Sequence, residues 1–319
     1  MLIDMPVEEL KKYQGSTPRP DDFDEFWDAS LAESAALPLN AELIPAEFQA
    51  PCADCCDLFF DGTGNSRIHA KLLCPKNDTG KHPAVVQFHG YAGDSLDWCT
   101  KLMYIACGYT MAVLDCRGQG GLSEDRNPVR GNTLNGHIIR GLDEPDPRKL
   151  YFRNVFLDCA RLTRFVMNME HVDHARVGVS GVSQGGGLTL ACAALVPEVK
   201  LAATVFPFLS DYRRVWNMDL AVGAYGELKE YFRNFDPNHL REEAVWTRLG
   251  YIDIQNLAPR IRAKVMMQTG LMDTTCPPST QFAAFNKIPS EKEVIFYPDY
   301  SHEWLKGGDD KLFQFMMKL

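Results

Sequence analysis

A serine between glycines is the first residue whose surroundings suggest chemistry. Residues 181–185 are Gly-Val-Ser-Gln-Gly, and they place Ser183 between a β-branched run ending at Val179 and the helix-favouring stretch Leu188–Leu195. Strand, sharp turn and helix in this order predict a hydroxyl held on a strained turn at the N-terminus of a helix. The free N–H groups and partial positive charge of that helix end suit a developing oxyanion. The alternative is a glycine-rich turn with a solvated serine.

An aspartate and a histidine later in the chain complete a set that fits acyl transfer. Asp273 comes shortly after the predicted strand Lys264–Thr269. His302 follows the predicted strand Glu293–Tyr297. A serine hydroxyl is a poor nucleophile at its free pKa, so His302 would take its proton and return it to the leaving group, while Asp273 would hold the imidazole tautomer. The order serine, aspartate, histidine is that of α/β-hydrolases.

Three other residues compete for the roles of base and acid. His89 also ends a predicted strand, but the Gly-Tyr after it fits an oxyanion-binding loop better than a general base. Asp94 and Asp115 are alternative acids, although neither follows the strand at which the α/β-hydrolase aspartate is expected. We therefore predict the serine, aspartate and histidine named above as the catalytic set.

Acyl transfer also needs hydrogen-bond donors where negative charge develops on the substrate. In α/β-hydrolases the donors are the N–H of the residue after the nucleophile and an N–H from the loop after the third strand. Here these residues are Gln184, directly after the serine, and Tyr91, in the loop His89–Gly93. Their backbone N–H groups form the predicted oxyanion hole.

Strands and helices alternate through most of the chain. Asp57–Phe60 and Ile68–Leu73 flank a turn-rich spacer, which predicts an antiparallel hairpin. The buried strands Ala84–Phe88 and Met111–Leu114, with a helix from about residue 98 to 107 between them, predict a parallel pair with a right-handed crossover. Together with the later strands, this pattern predicts an α/β-hydrolase fold: a mostly parallel central sheet flanked by helices, with an N-terminal extension and helical insertions.

Two segments interrupt the alternation. Residues 121–147 are rich in Gly, Asn, Asp, Pro and Arg and are expected to lie outside the sheet. Residues 211–257 combine helical and aromatic sequence, which indicates either an inserted cap that walls a pocket or a surface for packing or oligomer formation. Near the start, Phe23, Phe26 and Trp27 form the apolar stripe of a helix that packs on the main body. We expect residues 1–319 to form one domain.

Composition excludes several classes of function. The net charge of −9 leaves no basic face for a phosphate backbone, so no nucleic-acid partner is expected. Charged residues occupy the start of the chain where a secretory signal would need an apolar core, and no later run reaches transmembrane length. The sequence therefore predicts a protein without a membrane segment, located in the cytoplasm.

The chain has ten cysteines, which we expect to be reduced. Four lie in apolar strand or helix patterns, where a free thiol packs as a small hydrophobe: Cys107, Cys116, Cys159 and Cys192. Three form a C-x-x-C-C cluster just before the predicted hairpin: Cys52, Cys55 and Cys56. Because no second pair follows at zinc-finger spacing, structural cysteines are favoured over a metal site.

Together, the motifs resemble carbohydrate esterase family 7, the acetyl xylan esterase and cephalosporin C deacetylase group. The resemblance covers essentially the full length and rests on Pro20–Trp27, Arg117-Gly118-Gln119, Gly181–Gly186, Asp273–Pro278 and His302-Glu303. It implies a triad of Ser183, Asp273 and His302. It also implies that Tyr91 and Gln184 give the oxyanion N–H groups, and that Arg117 with Gln119 supports the site structurally. The cysteine cluster has no role in the pattern.

The resemblance further implies an activity and an assembly. The expected reaction is deacetylation of small esters, chiefly acetylated xylo-oligosaccharides, with cephalosporin C also accepted. It would proceed through an acetyl-serine intermediate, without a metal or organic cofactor. Family members typically form a hexamer, a dimer of trimers whose sites face an internal cavity. Two other interpretations are a peptidase of the prolyl oligopeptidase type and a non-catalytic binding protein of the same fold. The peptidase is disfavoured because Gln184 stands where an aromatic residue would be expected and no propeller-sized domain precedes the hydrolase sequence.

Overall fold

The structure is a computed structural model that describes residues 3–76, 80–129 and 137–319. Among these residues a nine-stranded sheet forms the centre of the molecule. Its strands are β1 (Glu42–Pro45), β2 (Ala53–Asp61), β3 (Arg67–Pro75), β4 (His82–Phe88), β5 (Thr110–Leu114), β6 (Val172–Val182), β7 (Leu201–Val205), β8 (Lys264–Gly270) and β9 (Lys292–Tyr297). Their order in space is β1-β2-β3-β5-β4-β6-β7-β8-β9.

The pairing of neighbouring strands changes once across this sheet, from antiparallel to parallel. The neighbours from β1 to β5 pair antiparallel, and all pairs from β5 through β4 to β9 are parallel. The predicted hairpin and the predicted parallel pairing of β4 with β5 are both confirmed. Because parallel strands end at one edge of a sheet, the segments after β4, β6, β8 and β9 meet there.

Helices cover the sheet on both faces. They are α1 (Val7–Leu10), α2 (Phe23–Ala36), α3 (Leu102–Ala106), α4 (Tyr151–Met167), α5 (Gln184–Leu195), α6 (Tyr212–Asn217), α7 (Glu227–Phe235), α8 (Glu242–Gly250), α9 (Ile254–Leu257), α10 (Pro278–Phe285) and α11 (Gly308–Met316). Short 3₁₀ turns lie at Thr63–Asn65, Trp98–Lys101, Pro147–Lys149, Gly223–Gly226 and Ala258–Arg260. Within the described ranges, every helix is too short or too polar to cross a bilayer. The predicted mostly parallel α/β architecture is confirmed.

Two apolar clusters follow from the alternation of side chains along the strands. In β4, Val86 packs into the cluster that contains α4 and α5, whereas Val85 faces the cluster that contains α3 and α11. In α4, Val155 and Leu162 are fully shielded from solvent. Each such aliphatic side chain contributes about 1.5–3 kcal/mol to folding.

The N-terminal helix and the inserted segment pack against the same body. Trp27 of α2 is buried, and its Nε1–H donates to the carbonyl oxygen of Tyr251 at 3.0 Å. In residues 211–257, Trp246 and Phe232 are buried against each other with ring centroids 5.6 Å apart. These two aromatic side chains therefore pack within the insertion.

Several sequence predictions differ from the structure. The edge strand β1 was not predicted, because its exposed residues show no apolar alternation. Cys107 is exposed at the end of α3, so its assignment to a packed apolar pattern is wrong. Cys55 and Cys56 lie within β2, so the cysteine cluster enters the hairpin instead of preceding it.

The predicted excursion at residues 121–147 is described only in part. Residues 121–129 and 137–147 contribute no strand to the sheet, as expected, and residues 130–136 lie outside the described residues. All ten cysteines of the sequence lie within the described residues, and each of them is a free thiol.

Candidate active site

The turn between β6 and α5 holds Ser183 in a conformation that side chains rarely adopt. Its φ is 59° and its ψ is −117°. The turn is fixed from several directions, since Ser183 N–H donates to the carbonyl of Val205 at 2.9 Å and its carbonyl accepts from Gly187 and Phe208, both at 3.0 Å. Backbone strain of this kind costs about 1–3 kcal/mol and persists only where the surroundings enforce it.

Glycines allow α5 to start immediately after the serine. A Cβ on Gly185 would overlap the carbonyl oxygen of Phe88 at the end of β4, and a Cβ on Gly181 would overlap the backbone of Gly185. The helix therefore begins at Gln184, one turn earlier than the predicted stretch from Leu188. Close packing outweighs the poor helix propensity of the three glycines in this first turn.

A hydrogen-bonded chain joins the three residues predicted as the catalytic set. His302 Nε2 lies 3.0 Å from Ser183 Oγ, and His302 Nδ1 lies 2.8 Å from Asp273 Oδ2. Asp273 is 0% exposed, and its other oxygen accepts the N–H groups of Thr275 and Cys276 at 2.8 Å each. A carboxylate accepts at Nδ1–H, which leaves Nε2 without a proton and facing the serine hydroxyl.

The rival base is occupied by the backbone. His89 Nε2 accepts the N–H of Cys116 at 2.9 Å, and His89 Nδ1 bonds the carbonyl of Gly90 at 2.7 Å. Burial lowers the pKa of His89 in spite of that carbonyl contact. The ring therefore ties the ends of β4 and β5 together.

The rival acids also have structural partners. Asp115 contacts His69 Nδ1 at 2.6 Å and accepts the N–H groups of Ser95 and Leu122. Burial alone would raise the pKa of Asp115, but these donors lower it to about 2. Asp94 accepts the N–H of Leu96 at 2.7 Å within its own turn. Neither carboxylate is hydrogen-bonded to the histidine beside the serine.

The two residues predicted for the oxyanion hole lie on segments that meet at the serine. Gln184 opens α5, and its side-chain Nε2 is 3.5 Å from the carbonyl of Gly90, the residue before Tyr91. The Tyr91 ring packs edge-on against Phe208, with centroids 6.0 Å apart, and its hydroxyl donates to Glu227. A cavity of about 210 Å³, lined in part by Gly90, Tyr91 and Val182, adjoins this junction.

The predicted supporting residues stand behind the site. Arg117 forms a two-pronged ion pair with Asp158, with both N–O distances 2.7 Å, and also donates to the carbonyl of Thr63. Burial would lower the pKa of Arg117, but Asp158 raises it. Gln119 bonds the side chain of Gln184 and donates to the Tyr151 hydroxyl at 3.1 Å. Neither residue is hydrogen-bonded to the serine or the histidine.

One group of ligand-type atoms in the described residues is compact enough for a metal ion. It consists of Asp273, Cys276 and His302, whose atoms lie within 4.8 Å of one another. The aspartate and histidine already bond each other, and burial raises the pKa of the Cys276 thiol well above its usual value. A thiol that keeps its proton is a poor metal ligand, so this group fits acid–base chemistry better.

Sequence reasoning missed Glu227, the buried carboxylate that receives the Tyr91 hydroxyl. It is the first residue of α7 inside the inserted segment, 136 positions after Tyr91. Its sequence context has no motif, and an acidic residue in the first helical turn is usual. No signal in the sequence alone indicated this contact.

Comparison with known proteins finds similarity to acetyl xylan esterases in both sequence and structure. The family model for acetyl xylan esterase (AXE1) matches residues 1–319. The crystal structure of acetyl xylan esterase 1 from Thermoanaerobacterium sp. JW/SL YS485 is 54% identical, with a TM-score of 0.97 and 99% of each chain covered. The acetyl xylan esterase from Paenibacillus sp. R4 is 38% identical, with a TM-score of 0.93, covering 98% of this chain and 99% of that one.

A curated relative is longer than this chain. The acetyl esterase Axe7A of Xylanibacter ruminicola is 28% identical over 299 residues, which is 92% of this chain. The chain spans 65% of the length of that relative.

Proposed function

The chain belongs to the acetyl xylan esterase family, and from this premise we propose that it is a serine esterase that removes acetyl groups from small acetylated carbohydrates, chiefly acetylated xylo-oligosaccharides. The observation that carries the proposal is the hydrogen-bonded chain from Ser183 Oγ through His302 to Asp273, with distances of 3.0 and 2.8 Å. It is the arrangement that converts a serine hydroxyl into a nucleophile.

The first half of the reaction acylates the serine. Ser183 Oγ attacks the carbonyl carbon of the acetyl ester while His302 Nε2 takes the hydroxyl proton. The buried charge of Asp273 stabilises the imidazolium that forms. The tetrahedral intermediate then collapses, His302 returns the proton to the sugar oxygen, and the free sugar leaves an acetyl group on the serine.

The second half releases acetate by the same groups. His302 Nε2 takes a proton from a water molecule as the water attacks the acetyl carbonyl. When the second tetrahedral intermediate collapses, the proton returns to Ser183 Oγ and acetate departs. The reaction consumes one water molecule and restores the enzyme.

Negative charge on the carbonyl oxygen is stabilised, in this proposal, by the backbone N–H groups of Gln184 and Tyr91. The start of α5 adds the partial positive charge of a helix N-terminus. Loss of one oxyanion donor lowers kcat about 10²–10³-fold in serine hydrolases. Arg117 and Gln119 support the surrounding loops through the contacts described above.

Substrate range, assembly and location are further parts of the proposal. We propose that cephalosporin C is also deacetylated, since its acetate ester presents the same carbonyl to the serine. A hexamer, a dimer of trimers, is proposed from the family resemblance, and exposed apolar residues such as Leu43 and Ile44 on β1 offer contact surface. A cytoplasmic location is supported by the unpaired state of the ten cysteines.

The test compares hydrolysis of acetyl, butyryl and longer aryl esters with that of acetylated xylo-oligosaccharide, for the wild type and Ser183→Ala. A steep preference for acetyl that disappears in the variant supports the proposal. Broad chain-length activity would retain the serine and reject the deacetylase. Preferential cleavage of peptide amides would favour a peptidase, and no activity together with no labelling of Ser183 by a phosphonate would favour a binding protein.

A further inference from the structure

Glu227 is a buried carboxylate in the inserted segment that contacts two other parts of the chain. It is 3% exposed and opens α7 in the inserted segment. Its Oε1 accepts the hydroxyl of Tyr91, and its Oε2 accepts the N–H of Ile138 at 2.6 Å and, more weakly, that of Ile139 at 3.4 Å. The insertion, the loop after β4 and the segment that precedes α4 therefore meet at one side chain.

Among the residues that the structure describes, the hydrogen-bond partners of Glu227 are neutral donors. No ion pair joins it to a lysine, arginine or histidine within residues 3–76, 80–129 and 137–319. A carboxylate removed from water without a cation is unfavourable. Burial accordingly raises the pKa of Glu227 to about 7, although the hydrogen bonds from Tyr91 and the backbone oppose this increase. An apolar residue of similar size would fill the same space without this desolvation cost. What the carboxylate adds is its hydrogen bonds to Tyr91 and to the backbone.

The Tyr91 side chain is fixed along its whole length. Its hydroxyl is held by Glu227, and its ring lies edge-on to Phe208 and to His137, with centroids 6.0 and 5.2 Å away. The backbone N–H of Tyr91 belongs to a loop on the rim of the sheet. Because a loop backbone is only as rigid as its anchors, the side chain restrains the position of that N–H.

We propose that Glu227 is a positioning residue, which fixes Tyr91 through its hydroxyl and thereby couples the inserted segment to the oxyanion-binding loop. The inference rests on the proposed function, in which the Tyr91 N–H stabilises the oxyanion. Glu227 itself acts only through Tyr91 and takes no part in proton transfer. Shifts of about 1 Å in such a donor are sufficient to slow catalysis by one to two orders of magnitude.

The experiment is a double-mutant cycle on acetyl ester hydrolysis with Tyr91→Phe, Glu227→Ala and the pair. Each single variant is expected to lower kcat by about 10- to 100-fold while KM changes by less than about threefold. The double variant is expected to fall no further than Glu227→Ala, because both changes break the same link. Glu243→Gln, on the exposed surface of α8, is the matched control and should retain wild-type kcat.

Rescue by a conservative change separates this role from one in stability alone. Glu227→Gln keeps an oxygen for the N–H groups of Ile138 and Ile139 and presents an NH₂ group to the Tyr91 oxygen, so kcat should return to within about threefold of wild type. Wild-type kcat in Glu227→Ala, or additive losses in the double variant, would overturn the proposal. If Glu227→Ala does not fold, Tyr91→Phe and Glu227→Gln carry the test.

A readout without turnover keeps this inference separate from the proposed esterase. Amide hydrogen exchange of residues 89–95 should be faster in Tyr91→Phe than in wild type, and unchanged in Glu243→Gln. Equal exchange in Tyr91→Phe and wild type would reject the link. A wild type that hydrolyses no acetyl ester would instead reject the proposed function, whatever the exchange result.

Discussion

Gln119 and Gln184 bind each other through both ends of their amide groups. Gln119 Nε2 donates to Gln184 Oε1 at 2.9 Å, and Gln184 Nε2 donates to Gln119 Oε1 at 3.0 Å. Gln184 is buried and directly follows the serine, whereas Gln119 lies two positions after Arg117. The pair therefore connects the first turn of α5 to the loop that the buried arginine anchors.

Replacing Gln119 by Ala should weaken both stability and turnover. The change leaves the buried amide of Gln184 without its partner, at a cost of about 1–3 kcal/mol. We expect a lower midpoint in urea unfolding and a kcat reduced by about tenfold, because the Gln184 backbone is less firmly held. Gln14→Ala, an exposed glutamine, is the control. A fully stable and fully active Gln119→Ala would show that the amide pair is dispensable.

The strain at Ser183 leads to a prediction about two inactive variants. Ser183→Ala and Ser183→Gly both remove the proposed nucleophile, so acetyl ester hydrolysis should fall to background in each. Only glycine relaxes the positive φ of 59°. We expect Ser183→Gly to be more stable than Ser183→Ala, with a free energy of unfolding about 1 kcal/mol higher when measured in urea. The opposite order of stability would argue that the turn is not strained.

The close approach of α5 to β4 should make Gly185 intolerant of any side chain. In Gly185→Ala the new methyl group meets the carbonyl oxygen of Phe88, so the helix must move away from the strand. We expect loss of at least about 3 kcal/mol of stability and of nearly all activity. Gly80→Ala, where a Cβ would have no neighbour within 4 Å among the residues that the structure describes, is the matched control. Thermal unfolding and kcat of both variants check this; equal behaviour would contradict it.

Arg117 and Asp158 form a fully buried ion pair, so removing one partner should be more harmful than removing both. Arg117→Ala leaves the Asp158 carboxylate buried without its ion-pair partner and should lose about 3–5 kcal/mol. Arg117→Met combined with Asp158→Leu should be closer to wild type in stability. Urea unfolding of the three proteins provides the measurement. A double variant less stable than Arg117→Ala would show that the pair itself is strongly stabilising.

Asp253 should make the protein less stable as the pH rises towards neutrality. Burial first, and then the charge of Asp211, raise the pKa of Asp253 to about 7 in the folded state. The folded protein thus holds this proton more tightly than the unfolded chain, so the contribution of Asp253 to the free energy of unfolding should fall between about pH 4 and about pH 7. Asp253→Asn should remove that contribution. The remaining dependence then combines Glu227, whose pKa is also raised to about 7, with His137, whose burial lowers its pKa to about 4 and so acts with the opposite sign. Identical pH profiles for variant and wild type would refute the assignment.

The proximity of three residues that are far apart in the chain was predictable from the sequence. Ser183, Asp273 and His302 each follow a predicted strand, and parallel strands deliver such residues to one edge of a sheet, where the structure joins them by hydrogen bonds. Their catalytic roles and the oxyanion role of Tyr91 remain predictions.

Features that depend on contacts between distant segments were not predictable from local pattern. The early start of α5 depends on how closely Phe88 approaches Gly185, and helix propensity alone argues against it. The contact between Tyr91 and Glu227 joins two elements with no shared periodicity. The exposed position of Cys107 at the end of α3 follows from where the helix ends, which apolar composition does not determine.

The place of β9 as the last strand in chain order has a consequence for folding during synthesis. Strand β9 is the last of the nine in chain order, and the proposed base follows it at His302. During synthesis the ribosome therefore produces the strained serine turn more than one hundred residues before the histidine. A nascent chain that has folded its first eight strands would carry a serine without a base. Ester cleavage would then begin only after the final strand is added, so fragments that stop before residue 302 should be inert.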